Sequence, residues 1–286
     1  MYFSMGEEDE KNMAAWLLGV TTLRIQPYTL PPLGPADVRV RIKALGICGS
    51  DVHHFKHMRC GNFVVKKPMV IGHECAGIVE QVGRRVEGLA VGDRVALEPV
   101  ISCRRCKDGR YNLCPNMKFF GSPPTNGALS NQVVHPAHLC FKLPDNVSLE
   151  EGAMCEPLSV GVEKEVEEIR EKMCGTINVS FDCVGFDKTV STALQATSAG
   201  GKVCLIGLGQ TEMTVPMTAA SAREVEVADI FRYRNTWPLC IELIASGKID
   251  VKPLVTHRFG FSQEELEKAF ETSAAGGHAI KVMFHL

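Results

Sequence analysis

The sequence predicts a chain built in two styles, a β-rich barrel or sandwich followed by an α/β unit on a parallel sheet. Residues 38–44 read Val-Arg-Val-Arg-Ile-Lys-Ala, the period-two alternation of a half-buried strand. Residues 77–82, 94–97 and 132–134 repeat that pattern between Gly-Asp, Gly-Arg and Pro-rich turns. After about Pro157 the texture changes to strands alternating with helices, the mark of βαβ units. The 286 residues are 45% hydrophobic, enough for a sizeable core in one or two domains at roughly 100–200 residues each.

The second part begins with a charged helical stretch over 163–173 and an apolar strand over 177–183. A helix over 187–197, a strand over 202–207 and a strand over 225–231 follow. The helix over 236–246 ends at Gly247, a residue type that closes helices. Ser262, with Glu265 three residues on, opens a helix over 262–272 as a capping box, and a strand over 279–284 completes the pattern.

Lys and Arg number 31 against 33 Asp and Glu, a net charge of −2, which offers no basic field for nucleic acid. The apolar runs stop short of the ~18–20 residues that span a bilayer, so no membrane partner is expected. Residues 1–10 carry acid where a secretory leader needs base and an apolar stretch, and a cytoplasmic location is expected. In that compartment the 12 cysteines stay reduced. Cys75, Cys140, Cys183, Cys204 and Cys240 sit in apolar runs and read as core. Cys48, Cys103, Cys106 and Cys114 have polar or glycine neighbours and are candidates for metal.

The densest signal is Gly72-His73-Glu74-Cys75-Ala76-Gly77, followed by Gly83 and Val86, with Cys48 25 residues before His73 in Gly46-Ile-Cys-Gly-Ser-Asp-Val-His53. Alone, either segment reads as a core cysteine or a surface His-Glu pair. Together, a thiolate, an imidazole and a carboxylate make a zinc set with a fourth position open to water or substrate.

These motifs resemble the signature of the zinc-containing medium-chain alcohol dehydrogenases. Glu98-Pro99, the segment from Gly109 to Cys114, Glu156-Pro-Leu-Ser-Val-Gly161 and Phe231-Arg-Tyr-Arg-Asn-Thr-Trp-Pro238 are similar to the sorbitol (L-iditol) dehydrogenases, most closely the plant ones. The resemblance runs from Asn12 to Leu286. It implies a GroES-like β-barrel catalytic domain over 1–158, completed by 236–286, and a truncated Rossmann-type cofactor domain over 159–235. It implies that Cys48, His73 and Glu74 hold a catalytic zinc with Glu156 close by. Ser50 and His53 would relay the alcohol proton, and His54, Glu156, Arg232 and Tyr233 would meet a polyol. Ile206, Gly207, Leu208, Ile230, Phe231 and Arg232 would border NAD. Relatives of this type are commonly homotetramers, so a homo-oligomer is expected.

Three departures qualify the expectation. A dinucleotide site needs Gly-x-Gly-x-x-Gly between strand and helix, with an acid roughly 20 residues on. The nearest match, Gly207-Leu-Gly209-Gln-Thr-Glu212, lacks the third glycine. On the order of 70 residues, about one mononucleotide-binding half, are missing between Val162 and Glu163, leaving apolar strand edges at 179–181 and 203–206. Cys103, Cys106 and Cys114 make only three of the four thiolates of a structural zinc site. His54 stands where the family usually has tyrosine. The expected function is zinc-dependent oxidation of a polyol such as sorbitol to the ketose, with hydride transfer to NAD. The alternative is an inactive zinc-binding paralogue, splice form or gene-model variant that does not bind NAD normally.

Overall fold

The computed structural model describes residues 11–101, 114, 117–160 and 177–286. The helix expected over 163–173 lies outside them, as do Cys103 and Cys106.

The strand Asp37–Gly46 organises the larger sheet. On one side it pairs antiparallel with Glu74–Val82, which pairs with Arg94–Leu97 and then Cys140–Lys142. Its other side is shared: residues 37–41 pair with Gln132–Pro136, and residues 44–46 pair with Lys281–His285. Lys281–His285 pairs parallel with Val255–Gly260, so the C-terminal segment completes the sheet begun by the first half. The expected barrel is not closed, because the two end strands do not pair among the described residues. Helices cover the sheet instead: Leu149–Ala153 packs on the long strand and its neighbours, and Gln263–Ala275 on the C-terminal pair.

Each face of this sheet builds a core. Val38, Val40 and Ile42 bury one face with Phe55, Phe270 and Phe284. A bulge between Ile42 and Ala44 then shifts the alternation, so Leu45 continues that face while Ala44 joins Ala76 and Ala96 on the other. The second face is covered by Trp237, Cys240, Ile241 and Ile244 of the helix Trp237–Ala245. Burial of these side chains, roughly 1.5–3 kcal/mol for each large apolar one, returns the chain to the first sheet after it leaves the second.

The smaller sheet is parallel and in sequence order: Val179–Asp182, Lys202–Leu205, Glu226–Asp229. The helices Asp187–Ala196 and Met217–Ser221 lie in its crossovers. Lys202–Leu205 is central, with Val203 and Cys204 buried, so the edge expected at 203–206 is covered on both sides. Cys183 is exposed rather than core, because the strand ends at Asp182 and leaves it in the turn. Cys75, Cys140, Cys204 and Cys240 are buried as expected. Ser262 caps the helix Gln263–Ala275 by accepting from the Glu265 N–H at 3.3 Å. The N-terminal hairpin Met13–Gly19 and Thr22–Pro27 was not signalled by alternation.

Gly77 faces the bulge, where an added Cβ would stand 2.1 Å from the Arg41 carbonyl oxygen. Gly77→Ala is expected to destabilise the fold by about 1–3 kcal/mol in denaturant unfolding. Unchanged stability would mean that the bulge can yield.

Candidate functional site

The long strand ends at Gly46, and two residues later Cys48 starts the helix Gly49–His57. The segment Gly49-Ser-Asp-Val-His-His-Phe-Lys-His is a poor helix former by propensity. Its first turn is held by Asp51, whose Oδ2 accepts from the Cys48 N–H at 3.1 Å. Asp51 Oδ1 accepts from the Gly72 N–H at 3.1 Å and lies 3.6 Å from His73 Nδ1. One buried carboxylate therefore joins the Cys48 arm to the His73 arm. Burial alone would raise its pKa, but the neighbouring His73 and the Cys48 amide outweigh it and hold Asp51 below the usual carboxylate range.

Gly72 carries φ +91, a conformation that glycine adopts without strain, and it turns the chain so that Glu74 opens the strand Glu74–Val82. The ligand atoms of Cys48, His73 and Glu74 all lie within 4.8 Å of one another. Cys48 is half-buried, whereas His73 and Glu74 are buried. A soft thiolate, an imidazole and a carboxylate at this spacing fit Zn²⁺. Both oxygens of Glu74 accept from Lys281 Nζ at 2.7 Å, and Lys281 also donates to the Ile47 carbonyl at 3.2 Å. Burial would lower the Lys281 pKa, but the facing Glu74 carboxylate raises it overall. Gly46 makes room for this pair, since a Cβ there would stand 2.2 Å from Glu74 Oε2.

Cys48 and His73 line a cleft of about 160 Å³, together with Glu156. Ser50, His54, Arg232 and Tyr233 also line it, as do Ile206, Leu208, Ile230 and Phe231 from the ends of the parallel strands. Four polar side-chain atoms here are buried without a close hydrogen-bond partner: both ring nitrogens of His54, Nδ1 of His73 and the hydroxyl of Tyr233, with the Glu156 carboxyl beside Tyr233 and the Phe63 backbone beside His54. Burial holds His54 below the usual histidine range, so its imidazole is neutral and offers one donor and one acceptor. Burial pushes the Glu156 carboxyl up to about 7, with Glu74 adding to the effect and His73 opposing it.

Arg232 adopts φ +59, which only a minority of non-glycine residues do. Its guanidinium stacks 4.2 Å from the Phe119 ring centroid and 5.6 Å from that of Phe63. Phe63 and Phe119 also line the cleft, and the sequence reading missed both. They are distant in sequence from Arg232, and nothing in their local pattern separates them from core aromatics.

Two expected residues sit elsewhere. His53 is half-buried on the helix beside His57, at 6.2 Å between ring centroids, and does not line the cleft. It follows Ser50 by three residues, which puts the two on one helix face. Gly207 does not line the cleft either. A Cβ on it would stand 2.3 Å from the Val184 carbonyl carbon, so its lack of a side chain serves close packing of two loops. Cys114 is half-buried and borders a second cavity with Met117, Phe231 and Arg232.

A dinucleotide would need amides free to meet its pyrophosphate at a strand-to-helix turn. After Val179–Asp182 that turn is Cys183-Val-Gly-Phe186, and the amides at the start of the following helix are engaged by side chains. Gly185 N–H donates to Asp182 Oδ2 at 2.6 Å, Phe186 N–H to Thr189 Oγ1 at 3.3 Å, and Asp187 N–H to Gln210 Oε1 at 3.0 Å. In the next turn the amides of Ile206 and Gly207 both donate to the Asp182 carbonyl, at 2.8 and 2.9 Å. Among the described residues, the cleft fits zinc and an apolar ring, but the turns after Val179–Asp182 and Lys202–Leu205 do not fit a pyrophosphate.

Two family profiles match the chain: "Alcohol dehydrogenase GroES-like domain" over residues 34–145 and "Zinc-binding dehydrogenase" over residues 158–246. The chain is 59% identical to an L-idonate 5-dehydrogenase of Vitis vinifera, with 98% of this chain and 96% of that protein covered. It is 56% identical to a sorbitol dehydrogenase of Arabidopsis thaliana, with 97% and 96% covered. Among solved structures it is similar to an Escherichia coli oxidoreductase/dehydrogenase of unknown specificity, at 27% identity and TM-score 0.86, over 96% of this chain and 99% of that one. The match to the Vitis protein runs over 352 residues, more than the 286 here, so at least 66 of its positions (352 less 286) have no counterpart in this chain.

Lys281→Met is expected to weaken zinc binding about 10–100-fold in a chelator competition, and Lys281→Arg to preserve most of it. Equal zinc affinity in the Met variant would show that the pair does not hold Glu74 for a metal.

Proposed function

The chain belongs to the zinc-binding dehydrogenases with an alcohol dehydrogenase GroES-like domain, and from that membership we propose that it oxidises a secondary hydroxyl of a polyol such as sorbitol to the ketone, with a nicotinamide as hydride acceptor. The observation that carries the reading is the meeting, in one cleft, of the Cys48, His73 and Glu74 donors with buried polar atoms of His54 and Tyr233 that lack a close hydrogen-bond partner. A buried polar atom without a partner costs roughly 1–3 kcal/mol, which a substrate hydroxyl recovers on binding. A purely apolar ligand would leave that cost in place.

Cys48, His73 and Glu74 would hold the zinc. Bound there, the metal supplies Lewis acidity that lowers the pKa of a hydroxyl brought to it. Ser50, at the cleft wall, takes the proton of that hydroxyl at Oγ and passes its own to the imidazole of His53, one turn along the same helix. His54 and Tyr233 orient the neighbouring hydroxyls by donating and accepting. Arg232, held flat by Phe119 and Phe63, presents its remaining N–H groups to the far end of the chain of hydroxyls. Glu156 stays beside the ligand set and positions a water or hydroxyl there. The names of the relatives support two substrate chemistries, a sugar alcohol and a sugar acid such as L-idonate. Both present vicinal hydroxyls, and the motifs similar to sorbitol dehydrogenases, Glu156-Pro-Leu-Ser-Val-Gly161 and the segment from Phe231 to Pro238, put the uncharged polyol first.

Purified protein is expected to carry about one zinc per chain at the cleft and to oxidise sorbitol in preference to L-idonate when a nicotinamide acceptor is supplied. Cys48→Ser should lose zinc affinity more than ~100-fold, beyond the ~10–100-fold of an outer partner, and lose turnover with it. Zinc bound at normal affinity in that variant, or wild-type protein that holds zinc and oxidises neither substrate, would contradict the proposal.

A further inference from the structure

The cleft and the turns of the parallel sheet ask for different halves of a cofactor. A dinucleotide is held at two places: a planar nicotinamide beside the reacting carbon, and a pyrophosphate over a glycine-rich turn at a helix N-terminus. The first place is present in this chain. Ile206, Leu208, Ile230 and Phe231 form an apolar wall in the same cleft as Cys48, His73 and Glu156, and a flat ring is seated by such walls.

The second place is not offered by the turns of the parallel sheet among the described residues. The turn between Val179–Asp182 and Asp187–Ala196 has three successive amides, those of Gly185, Phe186 and Asp187, and each already donates to a side chain. Two carboxylates, Asp182 and Asp187, stand at this turn, where a phosphate would meet like charge. The neighbouring turn is closed in another way. Gly185, Gly207 and Gly209 are pressed together, and a Cβ on Gly185 would stand 2.5 Å from the Gly207 carbonyl oxygen and one on Gly209 2.6 Å from the Val184 carbonyl oxygen. These glycines let two loops touch, so they form no cradle. Nowhere in the 286 residues does Gly-x-Gly-x-x-Gly occur.

The geometry points to a hydride-acceptor seat that recognises the nicotinamide end alone, so the chain binds a nicotinamide mononucleotide about as well as the dinucleotide. This inference rests on the proposed dehydrogenase reading for the chemistry of its ligand, but the seat contains none of the three zinc donors, so the two can be tested apart. The adenylate half, with no amides or cations waiting for it among the described residues, adds solvent-exposed atoms and little affinity.

The test titrates zinc-analysed protein with reduced nicotinamide mononucleotide and with NADH, followed by nicotinamide fluorescence. A full-length relative carrying the glycine fingerprint serves as the control. For this chain the two dissociation constants are expected to agree within ~3-fold, with AMP failing to displace either ligand; for the relative, NADH should bind at least ~100-fold tighter, about 2.7 kcal/mol. Leu208 is 54% exposed, so Leu208→Asp should fold normally and weaken both ligands about 10-fold. A preference for NADH above ~10-fold in this chain, displacement by AMP, or failure of zinc-loaded protein to bind either ligand would overturn the inference. Protein that binds the mononucleotide as expected but holds no zinc would instead sink the dehydrogenase reading and leave the seat standing.

Discussion

Everything at the centre of this molecule hangs on the carboxylate of Asp51. Its two oxygens take the amides of Cys48 and Gly72, residues on separate arms of the chain, and the second oxygen also faces His73. Without that bridge the helix Gly49–His57, made of residues with little helical preference, would have no reason to start at Cys48. Lys281 does a related job from the last strand, holding both oxygens of Glu74 and the carbonyl beside Cys48. The donors are thus fixed by hydrogen bonds from outside the set, as precise sites require.

How much of this could be read from residues alone follows the range of the interactions. Cys48, His73 and Glu74 were legible because their chemistry is unusual in the surroundings of glycine and strand that present them. Alternation located Arg94–Leu97 to the residue and the long strand within two. It overlooked the bulge after Ile42, because a one-residue shift leaves composition unchanged. Lys281 was invisible: it stands 207 residues from Glu74, and a lysine opening a terminal strand normally faces water. Phe63 and Phe119 were invisible for the same reason, since only the fold brings them to Arg232. Nor could composition show that Gly207 lets two loops pack, because only the fold brings Val184 against it.

The two sheets carry unequal shares of the dehydrogenase architecture. The larger one is complete, with the C-terminal strands restored to its edge and a core on each face. The smaller one has three parallel strands, and at least 66 positions of the Vitis relative have no counterpart in the chain. Its strand ends nevertheless reach the cleft that Cys48 and His73 line, through Ile206, Leu208, Ile230 and Phe231. On the proposed reading, a cofactor held at its nicotinamide end alone gives up binding energy remote from the reacting carbon, the energy that enzymes commonly use to hold reactants in register. Turnover with a nicotinamide acceptor should therefore saturate poorly even where the chemistry beside the metal is intact.

The most direct measurement is X-ray absorption at the zinc edge on protein carrying one zinc per chain. The account predicts one sulfur at about 2.3 Å and the remaining nitrogen and oxygen donors at about 2.0–2.2 Å, with the sulfur lost in Cys48→Ser. A shell of three or four sulfurs would place the metal on the cysteines near Cys114 and contradict the assignment of Cys48, His73 and Glu74.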